Sequence, residues 1–570
     1  MSYLLTVLLL AFYSFLSPAS AQSQSDINRA QREAEKIQRD EQERLRREIE
    51  QQRKSVRPPA EIEIPAPPTS KTPSGGPCIA VNSIAIESSP NLSDSARERL
   101  TAPYADKCLD KAAIETLMAD ITADYISRGF STTRVYLPEQ DLRSGVLRIQ
   151  VVEGVVEDIM IDDPGNGRIS TLTAFPGAIG NPFNLRDFEQ GLDQINKLQS
   201  NNAKTDIQPG KQPGGSVIVV RNQPNKWLPL GFNASRDNQG ATSTGRVQDS
   251  ISVNFDGLAG LNELVTITEL RTHAFSGPGH DSRAGTGMFS LPFGYNTITA
   301  TASQSTYASE VHGTGNRFMS NGITRTGSLV YDRVLMRGQD FKLSGSTGIT
   351  RKNTRSWIAG NFMGVSSRKL SVWDADLTGT TGVAGGTVNG DLGYSRGLHA
   401  FGAKADIESI DNATPHAQFN KLRYSLGWQR PFEVYERKAN FSTQLTGQYG
   451  LETLYGSEQI SIGGLSSVRG FLDTSWGGDR GWYWRNDLSL TESWEVGGVT
   501  IALKPHVGYD IGKIAYHNGI QGATLAGIGY GASLTVGIFT LDIQRVTSAV
   551  HTVRLTHESP FTFIKLSTGL

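Results

Sequence analysis

The carboxy-terminal part of the chain alternates apolar and polar residues with period two. Val247, Ile251, Val253 and Phe255 are interleaved with Gln248, Ser250, Ser252 and Asn254. Ala526, Ile528, Tyr530, Ala532, Leu534 and Val536 are interleaved with glycine, serine and threonine, and after Gly537 the pattern resumes through Phe539, Leu541 and Ile543. Residues two apart share one face of a strand, so each segment has a greasy face and a polar one. A soluble β-sandwich is the competing reading. Strand after strand with a polar interior fits a closed antiparallel barrel in a membrane better, and residues 225–570 have room for about sixteen strands.

Upstream the period changes. IAVNSIAI (Ile79 to Ile86) reads as a strand, and the segment from Leu109 to Gly129 as a helix with Ile114, Leu117, Ile121 and Tyr125 on one face. Two strands follow from Val135 to Gly154 around a turn at Ser144 and Gly145. The plan then repeats: a strand from Val155 to Ile161, a helix capped by Asn184 with Leu185, Phe188, Leu192 and Ile195 inward, and a closing strand from Ser216 to Val220. These are two small α/β domains, 78–154 and 155–224.

Before them, Asp26 to Lys54 is dense in charge and free of glycine and proline, with Glu35/Arg39, Asp40/Arg44, Glu43/Arg47 and Glu50/Lys54 placing acid four residues before base. It reads as one long helix within 22–57, about 29 residues and ~43 Å long, with too thin an apolar stripe for an ordinary core. A solvated arm or a polar helix inside a watery channel both suit it. Prolines recur through 58–77, an extended linker. The first 21 residues carry an apolar core from Leu4 to Leu16 and the small-x-small Ala19-Ser20-Ala21, the mark of a cleaved export signal.

Charge adds little. Lys+Arg 55 against Asp+Glu 56 gives no bias toward nucleic acid. Cys78 and Cys108 are the two cysteines; in an exported chain they are expected to form a structural disulfide, closing a loop of about thirty residues and contributing ~3–4 kcal/mol, rather than a metal or redox pair. PGKQPGG (Pro209 to Gly215) lacks the spacing of a phosphate loop, and no HExxH, GxSxG or cluster of metal ligands is present. Neither an enzyme nor a cofactor or metal is expected.

Several segments then acquire a common meaning: YADKCL around Cys108, TRVYLPEQDLRSGVLRIQVVEG from Thr133, NPFNLRDFEQGLDQINKLQ from Asn181, SRDNQGATSTG from Ser235, SSVRGF from Ser466 and GYDIG from Gly508. In this order they resemble the outer-membrane transporters of two-partner secretion, the TpsB family. The chain ends in Leu570, where that family usually ends in an aromatic residue. The resemblance implies a transmembrane antiparallel β-barrel of about sixteen strands, preceded by two periplasmic POTRA domains and an N-terminal plug helix. It also implies a large secreted exoprotein of the TpsA type as cargo.

The strand VTIALKPHVGYDIG places Val499, Ile501, Leu503, Val507 and Tyr509 toward lipid and Lys504, His506, Gly508 and Asp510 toward the lumen. The connection at 449–480 is far longer than a hairpin loop, and Gly463, Gly464 and Gly470 let its backbone approach the wall. The resemblance implies that this loop enters the pore and that Arg469 of the Val468-Arg469-Gly470-Phe471 motif meets Asp510, which Gly508 and Gly512 flank. Arginine suits such a pairing better than lysine because its planar fork matches a carboxylate with two donors. The expected function is a monomeric export channel in the outer membrane, with lipid around it and no nucleic-acid partner; the alternative is a factor that inserts other barrels.

Overall fold

The computed structural model describes residues 35–39, 76–164, 169–223, 228–273, 280–312, 317–519, 522–551 and 558–569. The export signal, the linker and most of the expected helix at 22–57 lie outside these. Residues 35–39 are helical.

Sixteen antiparallel strands, from Leu230–Asp237 to Phe561–Gly569, form a closed barrel; a two-residue strand, Asn361–Phe362, extends one of its hairpins. The last strand closes on the first from Lys565↔Asp237 to Gly569↔Asn233. The period-two pattern is what sorts the two faces. Ile298, Leu329, Ile349, Leu392, Leu426, Val507, Ile528 and Ile564 are exposed on the outer wall. Thr299, Ser303, Ser305 and Ser309 are buried on the inner one. Among the described residues no helix is long and apolar enough to cross a membrane. Closure of the barrel pairs the backbone groups of its strands, the condition a membrane sets on any spanning sheet.

In the first α/β domain the segment Ile79 to Ile86 is two strands rather than one. Ile79–Val81 pairs antiparallel with Lys107–Leu109, whereas Ser83–Glu87 runs parallel to Val146–Val152. Asn82 makes the break, and its amide donates to the Gly145 carbonyl. A helix at Asp94–Thr101 and the strand Lys107–Leu109 were not foreseen. The helix Lys111–Ser127 is capped by the Asp110 carboxylate and buries Ile114, Leu117, Ile121 and Tyr125. Cys78 and Cys108 are bonded, with Cα atoms 5.3 Å apart.

The second domain has its own core, in which Leu185, Phe188, Leu192 and Ile195 pack against Val156, Ile218 and Val220. Its sheet also contains an unforeseen strand, Ala203–Pro209, paired with Gly215–Asn222. The helix Leu185–Asn196 is more than a core element, because its outer side meets the periplasmic rim of the barrel. There the Arg337 side chain, 4% exposed, lies 3.2 Å from Glu189 Oε2 and 2.5 Å from Asp193 Oδ2, and it donates to Gln190 Oε1 at 3.1 Å. Tyr295 donates to Asp187 at 2.7 Å. Burial at this contact pushes the Asp187 carboxyl above its ordinary range, and the Tyr295 hydrogen bond partly offsets it. Asn262 donates to the Ser170 carbonyl and to Thr173 Oγ1, at 2.8 Å each. The domain is therefore bolted to three hairpin turns.

Arg186 at 2.6 Å from Glu189 and Lys342 at 3.6 Å from Asp193 would remain, so removing Arg337 leaves this buried cluster only partly compensated, at a cost on the order of 1–3 kcal/mol. Arg337→Ala is expected to loosen this dock. Spin labels at the exposed positions 172 and 258 should give a narrow distance distribution in the parent protein and a broad one in the variant; an unchanged width would show that Arg337 does not hold the domain.

Candidate functional site

Strands Arg437–Gly450 and Arg480–Val496 are joined by residues 451–479. This loop turns into the barrel. It has a small hairpin of its own, Ile460–Ile462 paired with Trp476–Gly478, and a hydrophobic cluster in which Ile460, Ile462, Val468 and Phe471 pack against Tyr483, Ile514 and Leu525 of the wall.

Arg469 is at the bottom of this descent. Its guanidinium donates from Nε to Asp510 Oδ2 at 2.5 Å and from Nη2 to Asp510 Oδ1 at 2.8 Å, a two-pronged contact. The Arg469 backbone amide also donates to Asp510 Oδ2, at 3.0 Å. The remaining prong, Nη1, donates to Asp487 Oδ1 at 2.8 Å. The side chains of Arg469 and Asp510 are 2% and 0% exposed. Arg485 Nε lies 3.7 Å from Asp510 Oδ1, so two acids face two cations. Asp487 and Arg485 are 37% and 27% exposed, so the dry part of the cluster is the Arg469–Asp510 contact, where an unpaired charge would be expensive.

The wall is shaped to receive the loop. A methyl at Gly508 would meet Arg469 Nη1 at 2.2 Å, and one at Gly512 would meet Val468 Cγ2 at 2.9 Å. Gly527, on the next strand, lies against the loop's backbone: a Cβ there would fall 1.6 Å from the Arg469 carbonyl oxygen. Gly470 adopts φ +95°, a conformation that other residues rarely take, and its added Cβ would meet the Thr547 backbone at 2.5 Å. The alternation of glycines with Asp510 is thus a groove cut for Val468 and Arg469.

Three further anchors escaped the sequence reading. Glu458, 3% exposed, reaches two other strands of the wall, where Lys352 lies 2.7 Å and Lys421 3.1 Å away. Asp479 accepts from the amides of Leu454 and His517, each at 2.9 Å. At the outer end, Asp473 accepts from Thr242 N and Oγ1 at 3.0 and 2.9 Å and from Arg246 at 2.5 Å, while Glu558 accepts from the Leu472 amide at 2.6 Å. Asp487 was also missed, although the same period-two rule that turns Asp510 inward applies to its strand. The loop is consequently tied to several sectors of the barrel.

The helical residues 35–39 share this site. Lys36 donates to the Asp473 carbonyl, and Arg39 donates to Ser475 Oγ at 3.1 Å. Ile37 is buried against Tyr307, and Gln38 Nε2 donates to the Tyr307 hydroxyl at 3.4 Å. Glu35 lies 3.8 Å from Arg368. This turn of helix is therefore inside the lumen, in contact with both the wall and the loop.

Comparison with known proteins bears on this arrangement. The family described as haemolysin secretion/activation protein ShlB/FhaC/HecB matches residues 214–534, and POTRA domains match 79–154 and 155–209, the first of ShlB type. The chain belongs to this family. It is 33% identical to the outer membrane transporter CdiB of Escherichia coli, over 84% of this chain and 79% of that protein. It is 31% identical to the outer membrane transporter CdiB of Dickeya dadantii, over 93% and 94%. The solved structure of CdiB from Escherichia coli superposes with a TM-score of 0.83 at 29% identity, covering 97% of this chain and all of that one. The protein is thus an outer-membrane transporter of two-partner secretion, with its POTRA domains in the periplasm.

Two substitutions separate charge from shape at this site. Arg469→Lys keeps the charge but cannot fork between Asp510 and Asp487, and Gly527→Ala leaves every charge in place while colliding with the loop's backbone. Both are expected to raise protease cleavage within 463–475 from outside intact cells at least about tenfold, the equivalent of ~1.4 kcal/mol in loop docking. Parent-like resistance in both variants would show that this contact does not hold the loop.

Proposed function

We propose that the loop 451–479 and the helix around residues 35–39 are two coupled plugs of one protein-conducting pore, and that Arg469 sets the position of the first. Support comes chiefly from the buried fork of Arg469 between Asp510 and Asp487, together with the bonds from Lys36 and Arg39 to the same loop. A barrel of about sixteen strands leaves a hydrated lumen that wall side chains alone do not fill. An unplugged lumen would leak. The proline-rich segment at 58–77 gives the helix enough reach to leave, since an extended chain spans ~3.1 Å per residue.

The cargo is an exoprotein of the TpsA type, unfolded in the periplasm. Each POTRA sheet offers free edges to such a chain. In the second, Val155–Asp162 is an edge strand whose start is paired with residues 180–182 and whose later part is open, with Met160 54% and Ile161 36% exposed. Backbone pairing along such an edge gives affinity with little demand on sequence. The Val468-Arg469-Gly470-Phe471 segment is the gating motif, Asp510 its partner on the wall, and the barrel acts as a monomer. The Cys78–Cys108 bridge holds the first POTRA unit together in an oxidising compartment.

Deleting 26–54 is expected to increase ion conductance in planar bilayers severalfold, and unchanged conductance would remove the helix from its role as a plug. Arg469→Ala is expected to reduce secretion of the partner by at least about tenfold while the barrel still inserts, in keeping with loss of a buried pair. Normal secretion by that variant would refute the role given to the motif.

A further inference from the structure

The outer wall of the barrel carries a feature that transport does not use. On strands Arg317–Arg337 and Phe341–Ile358, Thr324 and Thr354 are buried inside and 3.2 Å apart, and Lys352 reaches inward to Glu458. Alternation therefore turns Arg325, Arg351, Asn353 and Arg355 outward. Arg325 pairs with Asn353, Gly327 with Arg351 and Ile323 with Arg355. Lys369, on the following strand, pairs with Asn353 from the other side. Four exposed cations thus surround one asparagine on a wall that faces lipid, with diagonal neighbours about 7–8 Å apart.

Some cations on the same wall are neutralised by acids of the barrel itself. Arg236 has Asp249 at 2.6 Å, and Arg283 has Glu269 at 2.8 Å. Among the described residues, no carboxylate lies within ion-pair distance of Arg325, Arg351, Arg355 or Lys369. Arg325 instead donates to Gln304 at 2.8 Å. Across the outward faces of the four strands from Asn296 to Val383, Glu310 is the one described carboxylate, and it is engaged by His280 and Arg317 at 3.6 Å each. The four positive charges are therefore left for something that is not part of this chain.

The height of the patch is defined by what lies beneath it. Two residues toward the periplasmic side, Leu329 and Ile349 are exposed as part of the apolar band, and Trp373 lies beside Ile349 in the register, the place of an interfacial aromatic. Cations on such a wall are costly at the midplane and tolerated at the interface. The patch is thus at the level of the headgroups of the outer leaflet. Guanidinium groups match phosphate oxygens with paired donors, and four cations spread over three strands can serve two phosphates.

We infer that Arg325, Arg351, Arg355 and Lys369 bind the phosphates of a bisphosphorylated glycolipid in the outer leaflet. The inference rests on the outer-membrane placement of the barrel but not on the gating role of the loop, so failure of either leaves the other standing. The test uses the purified full chain in detergent, with bisphosphorylated lipid A as probe and native mass spectrometry as readout. The quadruple variant Arg325→Gln/Arg351→Gln/Arg355→Gln/Lys369→Gln is expected to bind the probe at least about 30-fold more weakly, since each cation near an anionic surface contributes separately. Heat-modifiable gel mobility reports that its barrel is folded. If the quadruple variant does not fold, Arg351→Gln/Arg355→Gln is measured instead, with a loss of about fivefold expected. Unchanged affinity in a folded variant would overturn the inference. So would parent protein that binds dephosphorylated lipid A or phosphatidylglycerol as tightly as the probe.

Discussion

A guanidinium buried inside the outer half of the barrel is the constraint around which the rest is arranged. Arg469 could remain charged in the open lumen at little cost, yet it is 2% exposed and its prongs end on Asp510 and Asp487. Breaking such a pair costs ~3–5 kcal/mol because one charge is stranded. This contact, with the loop's hydrophobic cluster and its other anchors, offsets the entropy of ordering a 29-residue connection inside the barrel. The glycines at 508, 512 and 527 follow from the same requirement, since any side chain there would occupy the space of Arg469 or Val468.

The loop then passes order to its neighbours. Glu458 joins it to Lys352 and Lys421 on two further strands, Asp473 joins it to Thr242 and Arg246 at the rim, and the Asp473 carbonyl and Ser475 hold the helical turn at 35–39. A shift at Arg469 would therefore move the contacts of the helix without touching it. At the other end, Arg337 ties the second POTRA unit to the barrel rim. On the proposed reading, a chain caught on the periplasmic sheet edge would be presented to an entrance held in place by this contact.

Much of this was legible in residue order. Period two marked the barrel strands and assigned Tyr509 to lipid and Asp510 to the lumen; period 3.6 marked Ile114, Leu117, Ile121 and Tyr125 as one helix face. Strands of three residues such as Lys107–Leu109 carry no period, and Asn82 divides a run that reads as continuous, so the first POTRA sheet was drawn too simply. Glu458, Lys352 and Lys421 are polar residues in a loop and on two separate strands, and nothing local distinguishes them from solvated charge. Their meeting is a product of closure and lies beyond any pattern along the chain. The outer-wall arginines obey the same alternation rule, which places Arg351 and Arg355 on the face opposite Lys352.

The decisive experiment is a double-mutant cycle on Arg469→Gln and Asp510→Asn, read as channel open probability in planar bilayers. If the two side chains hold the loop through each other, each single change raises open probability and the double variant rises no further than the larger single effect. Independent, additive effects, or no change in either single variant, would contradict a pore held closed by this pair.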